Sequence, residues 1–479
     1  MSFMDFPLAQ ALQLGHLDAH AQQALVRRGD LSPAELTAAG IVRARHLDPF
    51  LGALSHADFD AAARRAAQVD PATAMPGVPW LPKDSLRYPG MPTRGGSRAR
   101  SAVPATDAPP FARRFDACGL VAIGKSAMPE FGLMGSTEPL LGPVTRNPWA
   151  PAHSPGGSSG GAGAALAAGI VPLAHGSDGA GSIRIPASAC GVVGLKPGRG
   201  ATVAVRGRHA IEDLIVADSL MSRSVRDTAW AFAAAHPQAG AGAEAPVRPP
   251  RRLRIGVVGE ALPGLAPDPA VAAVLEATAT LCMSLGHAVE AAHYPVPGSE
   301  VWQALYTLWS RLGLDAVELA VADGGERFAA AALEPWTHGL AQYHRSHCGI
   351  AELEQAFTLL GALPGAFAAF HRCFDVLLTP VLSGPPPRLG ELAPDREFEH
   401  LLPAMFHWMG YTPLQNLAGT PAISLPLGQA GALPVGVQFA ADRGQETLLL
   451  QLAAELEQAA PWRDRWPAIS VATALKELN

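Results

Sequence analysis

Hydrophobic and polar positions follow two patterns along this chain. From Asp18 to Phe50 they read as two helices, the second opening on Ser32-Pro33-Ala34-Glu35. There Ser32 can cap, Pro33 suits the first turn and Glu35 closes a capping box. Residues 18–50 are thus expected to form an N-terminal helical layer. Beyond them, short apolar runs such as Leu120 to Ile123 and Ile170 to Leu173 alternate with Ala-rich stretches such as Ala162 to Ala168. This alternation predicts an α/β fold, a large mixed central sheet between layers of helices. Between residues 236 and 252 the composition shifts to Gly, Ala and Pro, after which "LRIGVVG" at Leu253 to Gly259 reads as a new strand. That stretch is expected to link two lobes of one domain spanning 1–479, with residues 70–235 in the first lobe and 253–479 in the second. In the second lobe Val301 to Tyr343 reads as a long helical cap, and "DVLLTPVL" and "PAISLPLG" as late strands.

Composition narrows the function. With 479 residues, 48% of them hydrophobic, the chain can bury a large core. A formal charge of -6 and only short basic clusters give no general attraction to nucleic acid, so a small-molecule partner fits better. The five cysteines are widely spread with no C-x-x-C pair, and are read as reduced core residues. The N-terminal segment has neither the basic start nor the apolar run of a signal peptide or membrane span, so the cytoplasm is the expected compartment and no membrane partner is expected. No histidine falls in a metal-ligand spacing; His153, His175 and His407 are read as structural.

Candidate chemistry concentrates between Ser154 and Pro197, where two loops rich in glycine and serine flank a helix and a strand. Glycine permits positive φ and close approach, so the amides of Gly179, Ala180, Gly181 and Ser182 can converge as an oxyanion hole. A serine attacking an amide at neutral pH needs a base within hydrogen-bond reach, either histidine or neutral lysine. Upstream, "GVPWLPKDSL" sets Lys83 after an apolar run, where burial would lower its pKa.

In their order, the Lys83-Asp84 strand end, the "GGSSGG" loop and the "GSIR" loop resemble the amidase signature enzymes, over nearly the whole chain. Ser158 and Ser182 stand 24 residues apart, the separation of relay serine and nucleophile in that family. The resemblance implies an amide hydrolase of the amidase signature fold. In it Ser182 is the acylated nucleophile, Ser158 the bridging serine after a cis peptide, and Lys83 the base. Asp178 and Arg184 would form a supporting ion pair, and Ser159 and Ser177 hydrogen bonds behind the site. No metal or organic cofactor is implied, the substrate is a small-molecule amide, and a homodimer is left open. Gly179-Ala180-Gly181, "TRNPW" and "IPASACGVVGLKP" further resemble the branch that contains hydrolases of the 6-aminohexanoate cyclic dimer. A cyclic amide therefore stands beside linear and aryl ones as an expected substrate.

Competing readings carry less weight. "GLVAIGKS" at Gly119 to Ser126 satisfies the P-loop pattern, but its interior reads as a buried strand. "GGSSG" satisfies the nucleophile elbow, but no strand precedes it. A glutaminase subunit of a tRNA-dependent amidotransferase usually has glutamine after the loop arginine, where this chain has Ile185. A non-catalytic binding protein would have no use for Lys83, Ser158 and Ser182 together. The pocket is expected to involve Phe131 to Pro143, Val301 to Tyr343 and His400 to Gln415, with Trp309, Trp408 and Tyr411 as candidate lining residues.

Overall fold

The computed structural model describes residues 6–207, 209–238, 251–262 and 264–478; most of the expected 236–252 link lies outside them. Twelve strands occur among the described residues. In chain order they are Leu54–Ala57 (β1), Pro79–Leu81 (β2), Val121–Ala122 (β3), Gly124–Ser126 (β4), Leu173–Asp178 (β5), Gly194–Lys196 (β6), Ala217–Ser222 (β7), Arg254–Val257 (β8), Ala288–Ala291 (β9), Val376–Pro380 (β10), Ala422–Ala430 (β11) and Leu433–Ala441 (β12).

A four-stranded sheet in the order β3-β2-β5-β7 and a six-stranded sheet in the order β6-β11-β12-β10-β8-β9 form the centre of the fold. They are joined where Val193 and Ser222 exchange backbone hydrogen bonds of 2.8 and 3.3 Å. Pairing is mixed: β2 runs parallel to β3 and β5, whereas β5 and β7 are antiparallel. Side chains alternate across the six-stranded sheet as strand pleating requires. Val376, Leu378, Ile423 and Phe439 meet the helices Pro269–Ser284 and Glu446–Ala459. Leu377, Ala422 and Ala440 point the other way, toward the helices Gly298–Gly324, Ile350–Cys373 and Pro413–Ala418. Helices therefore cover both faces.

At the N-terminus the helices Ala19–Arg27 and Pro33–Leu51 form as expected, the second with both halves of its capping box, Ser32 to Glu35 and back. The helix Gly160–Ala168 is buried on every side, which its Ala/Gly composition allows. A Cβ at Gly161 would lie 2.4 Å from Ala127 N and from Ala53 O, so only glycine lets this helix sit so close to β4. The run Ile170 to Leu173 is buried, but the strand begins only at Leu173 and continues into the polar residues His175 to Asp178. The stretch Val301 to Tyr343 falls within three helices, Gly298–Gly324, Glu326–Ala332 and Pro335–His347, broken first at Gly325 with φ of 81°. Among the described residues one helix, Ile350–Cys373, reaches the length and apolarity of a membrane span. It turns Ala356, Leu360, Leu363 and Phe367 into the core beneath the cap.

Candidate active site

Strand order explains why Lys83 and Ser177 meet. β2 and β5 are parallel neighbours, with Trp80 opposite Leu173 and Leu81 opposite Ala174, so their carboxyl ends open at the same edge. Lys83 lies just past the end of β2 and is fully buried. Its Nζ is 2.7 Å from Ser158 Oγ and 2.9 Å from Ser177 Oγ. No carboxylate among the described residues bonds it, and burial pulls the amine down from 10.5 to about 7. Relative to the same amine in water, that shift disfavours the charged form by roughly 5 kcal/mol and leaves the two forms comparable near pH 7. Ser158 follows a cis Gly157–Ser158 peptide. A Cβ at Gly157 would lie 2.5 Å from Ser136 O, so the loop there needs a glycine.

The segment after β5 wraps around a buried ion pair. Arg184 grips Asp178 bidentately, Nε to Oδ2 at 2.9 Å and Nη2 to Oδ1 at 2.8 Å. Burial alone would push the Asp178 carboxyl up, but the guanidinium outweighs it and holds it at about 2. The carboxylate also accepts from Gly181 N at 2.8 Å and Ile183 N at 3.1 Å, which fixes the turn carrying Ser182. Of the four amides expected to converge, that of Gly181 is thus committed to Asp178. Those of Gly179, Ala180 and Ser182 meet no protein acceptor among the described residues. Gly181 has φ of 132°, and a Cβ there would lie 2.2 Å from Thr412 Oγ1. Thr412 donates to Ala180 O at 2.6 Å, and Asn416 Nδ2 to Asp178 O at 2.7 Å. Gln438 accepts from Arg184 as well. These three supports lie more than 200 residues further on and were not singled out; no local motif marks them.

Ser159 and Ser177 are placed differently from each other. Ser159 serves the backbone: its Oγ accepts from Ser177 N at 3.3 Å, and its N donates to Ser182 O at 3.2 Å. Ser177, in contrast, touches Lys83 directly and lines the cavity. Ser182 is buried to 4% exposure, lines that cavity beside Ser158, and its Oγ has no side-chain partner among the described residues.

The cavity measures about 680 Å³. Its apolar wall includes Met128, Phe131, Leu133, Trp309, Leu312 and Leu319, while Arg87, Arg100, Arg206, Glu212 and Asp315 supply charge and His209 a ring nitrogen. Trp309 is held by Nε1 donating to Leu133 O at 3.0 Å. Trp408 and Tyr411, in contrast, are not in this wall: Trp408 Nε1 donates to Gly384 O at 3.1 Å, and Tyr411 OH to Gly259 O at 2.7 Å. Both anchor the segment behind the loop. Phe131, at φ of 50°, carries Arg100 over its ring at 5.5 Å.

The two misleading motifs resolve in the structure. Gly119 to Ser126 is the buried strand pair β3 and β4, whose Lys125 faces Asp84 at 3.5 Å. The loop before Ser158 contains only an isolated bridge, His153 to Arg388, rather than a strand. His175 is fully buried, between the Lys83 backbone and Asp218.

Residues 35–450 match the Amidase family. The sequence is 39% identical over 461 residues to a Mycobacterium tuberculosis protein named "Putative amidase AmiC", covering 94% of this chain and 96% of the relative. It is 34% identical over 503 residues to the 6-aminohexanoate-cyclic-dimer hydrolase of Pseudomonas sp., with the same two coverages. A solved structure of 6-aminohexanoate cyclic dimer hydrolase complexed with substrate superimposes with a TM-score of 0.87 at 32% identity, covering 95% of this chain and 99% of the other.

Proposed function

The chain belongs to the amidase family and is an amide-hydrolysing enzyme, and from that premise we propose that it works through an acyl-enzyme on Ser182, with Ser158 as relay and Lys83 as base. The observation that carries this reading is Lys83 Nζ, buried with no bonded carboxylate among the described residues, 2.7 Å from Ser158 Oγ at the wall of the cavity that Ser182 also lines.

Neutral Lys83 accepts the Ser158 hydroxyl proton as Ser158 Oγ takes the proton of Ser182. Ser182 Oγ then attacks the substrate carbonyl. The link from Ser158 to Ser182 closes when substrate fills the cavity, as catalytic hydrogen bonds often tighten only then. The developing oxyanion is held by the amides of Gly179, Ala180 and Ser182, the three left free when Asp178 takes Gly181. The proton passes back through Ser158 to the leaving amine, and water retraces the relay to release the acid.

One domain, as read from the sequence, is consistent with the joined sheet and carries the whole site. The substrate class we propose is a small linear, aryl or cyclic amide. An apolar wall of Phe131, Leu133, Trp309 and Leu312 suits its hydrocarbon part, and the likeness to cyclic-dimer hydrolases supports the cyclic member. Ile185 is fully buried, with its side chain packed against Gly156 and Gly181, and leaves no amide group there for a glutaminase role. A panel of such amides, followed by mass spectrometry for the acid and amine pair, tests the proposal. Cleavage by the wild type and none by Ser182→Ala is expected; equal cleavage by both would refute it.

A further inference from the structure

We propose that His175, Asp218 and Arg206 form a positioning relay that fixes Lys83 from behind and ties it to the wall of the substrate cavity. This rests on the reading of Lys83 as the base. β5 and β7 are antiparallel with Ser177 opposite Asp218 and His175 opposite Leu220, so His175 and Asp218 are diagonal neighbours on one face. Both are buried.

The hydrogen bonds set a single tautomer. Lys83 N donates to His175 Nδ1 at 3.4 Å, so Nδ1 must be bare and the proton sits on Nε2, 3.1 Å from Asp218 Oδ1. A doubly protonated ring would turn an N–H against the Lys83 amide. Burial holds His175 below its ordinary value and keeps it neutral. Burial alone would raise Asp218, but Arg206 outweighs it and keeps the carboxylate ionised. Arg206 Nη2 lies 2.7 and 2.6 Å from the two Asp218 oxygens, and its Nε 3.3 Å from Glu212 Oε2. Arg206 and Glu212 also line the cavity.

This arrangement does more than hold shape, because two of its members are charged and act on the amine through space. The charged groups acting on Lys83 are Asp218, Arg206 and Asp178. Asp178 is occupied by Arg184, and Asp84, next to Lys83 in the chain, turns to Lys125. Asp218 therefore draws the Lys83 amine toward its charged form, and Arg206 opposes it. The two substitutions that break this pair should move the base in opposite directions, which a purely structural contact would not do.

The test is the pH dependence of Ser182 labelling by a fluorophosphonate, which needs the neutral base. Arg206→Gln leaves Asp218 uncompensated, so the acid limb should move up by about half to one pH unit, a three- to tenfold loss on that limb. Arg206→Lys should bring it back. Asp218→Asn should move the limb down, and serves alone should Arg206→Gln fail to fold. Limbs that stay in place, or that move together in both variants, overturn the relay. If wild-type Ser182 is not labelled, or its acid limb persists in Lys83→Ala, the proposed mechanism fails. A limb lost in Lys83→Ala but untouched in the relay variants defeats the relay alone.

Discussion

Lys83, just past β2, and Lys125, within β4, are two fully buried lysines brought close by the bridge between Lys83 and Ser126, and they have opposite surroundings. Lys125 Nζ is enclosed by Pro92 O at 2.8 Å, Thr93 Oγ1 at 2.8 Å and the Asp84 carboxylate at 3.5 Å. Among the described residues Lys83 Nζ bonds only hydroxyls, those of Ser158 and Ser177, which themselves line the cavity. Burial lowers both amines, to about 8 at Lys125, where Asp84 resists, and to about 7 at Lys83. Burial alone therefore does not make a base. What separates the two is the missing carboxylate and the serine that leads out to a cavity.

The largest effect expected from breaking this contrast is at Lys83. Lys83→Ala should lower kcat/KM by about 10²- to 10⁴-fold, the usual contribution of general-base catalysis, with the melting temperature held or raised. Lys125→Ala should do the reverse. Leaving the buried Asp84 without a countercharge, held only by the amides of Arg94 and Gly96, costs about 3 kcal/mol of stability in denaturant titration, while the folded fraction keeps most of its turnover. Making Lys83 resemble Lys125 is a sharper intervention: Ser177→Asp places a carboxylate beside the amine and should raise its pKa. The acid limb of the pH–rate profile then moves up by about one unit, a loss of roughly fivefold at pH 7. A limb unmoved in Ser177→Asp would mean that the base is not Lys83.

The smallest expected effect carries the same logic to a carboxyl. Glu334, at the start of the helix Pro335–His347, is pushed up to about 8 by burial and by Glu130, with its Oε1 accepting from Leu140 N at 2.6 Å. A carboxyl raised in the fold binds its proton more tightly there than in the unfolded chain. Its stabilisation is complete below about 4.5 and lost as pH rises through about 8. Differential scanning from pH 6 to 9 should show a falling melting temperature in the wild type and a flatter course in Glu334→Gln.

The geometry of the glycine- and serine-rich loops was legible because it is local: Ser158, Asp178, Ser182 and Arg184 lie in one stretch whose glycines announce tight turns. The sheet was legible in "LRIGVVG", "DVLLTPVL" and "PAISLPLG", each of which overlaps a strand, β8, β10 and β11. The Ile170 to Leu173 run misplaced its strand because these residues fill the core before the strand begins, and β5 itself is polar at the site. The committed amide of Gly181 was hidden because its acceptor, Asp178, turns back along the loop. Trp309 could not be told from Trp408 by composition, since both are buried aromatics whose indoles donate to carbonyls. His175, Asp218 and Arg206 come from separate stretches and meet only through the β5–β7 register.

The central claim is that Ser182, not Ser158, takes the acyl group. Intact mass spectrometry of folded protein after fluorophosphonate treatment, followed by peptide mapping, tests it directly. One adduct on Ser182, absent in Ser182→Ala and slowed in Lys83→Ala, is the result predicted. An adduct on Ser158, or one that survives Ser182→Ala, would contradict it.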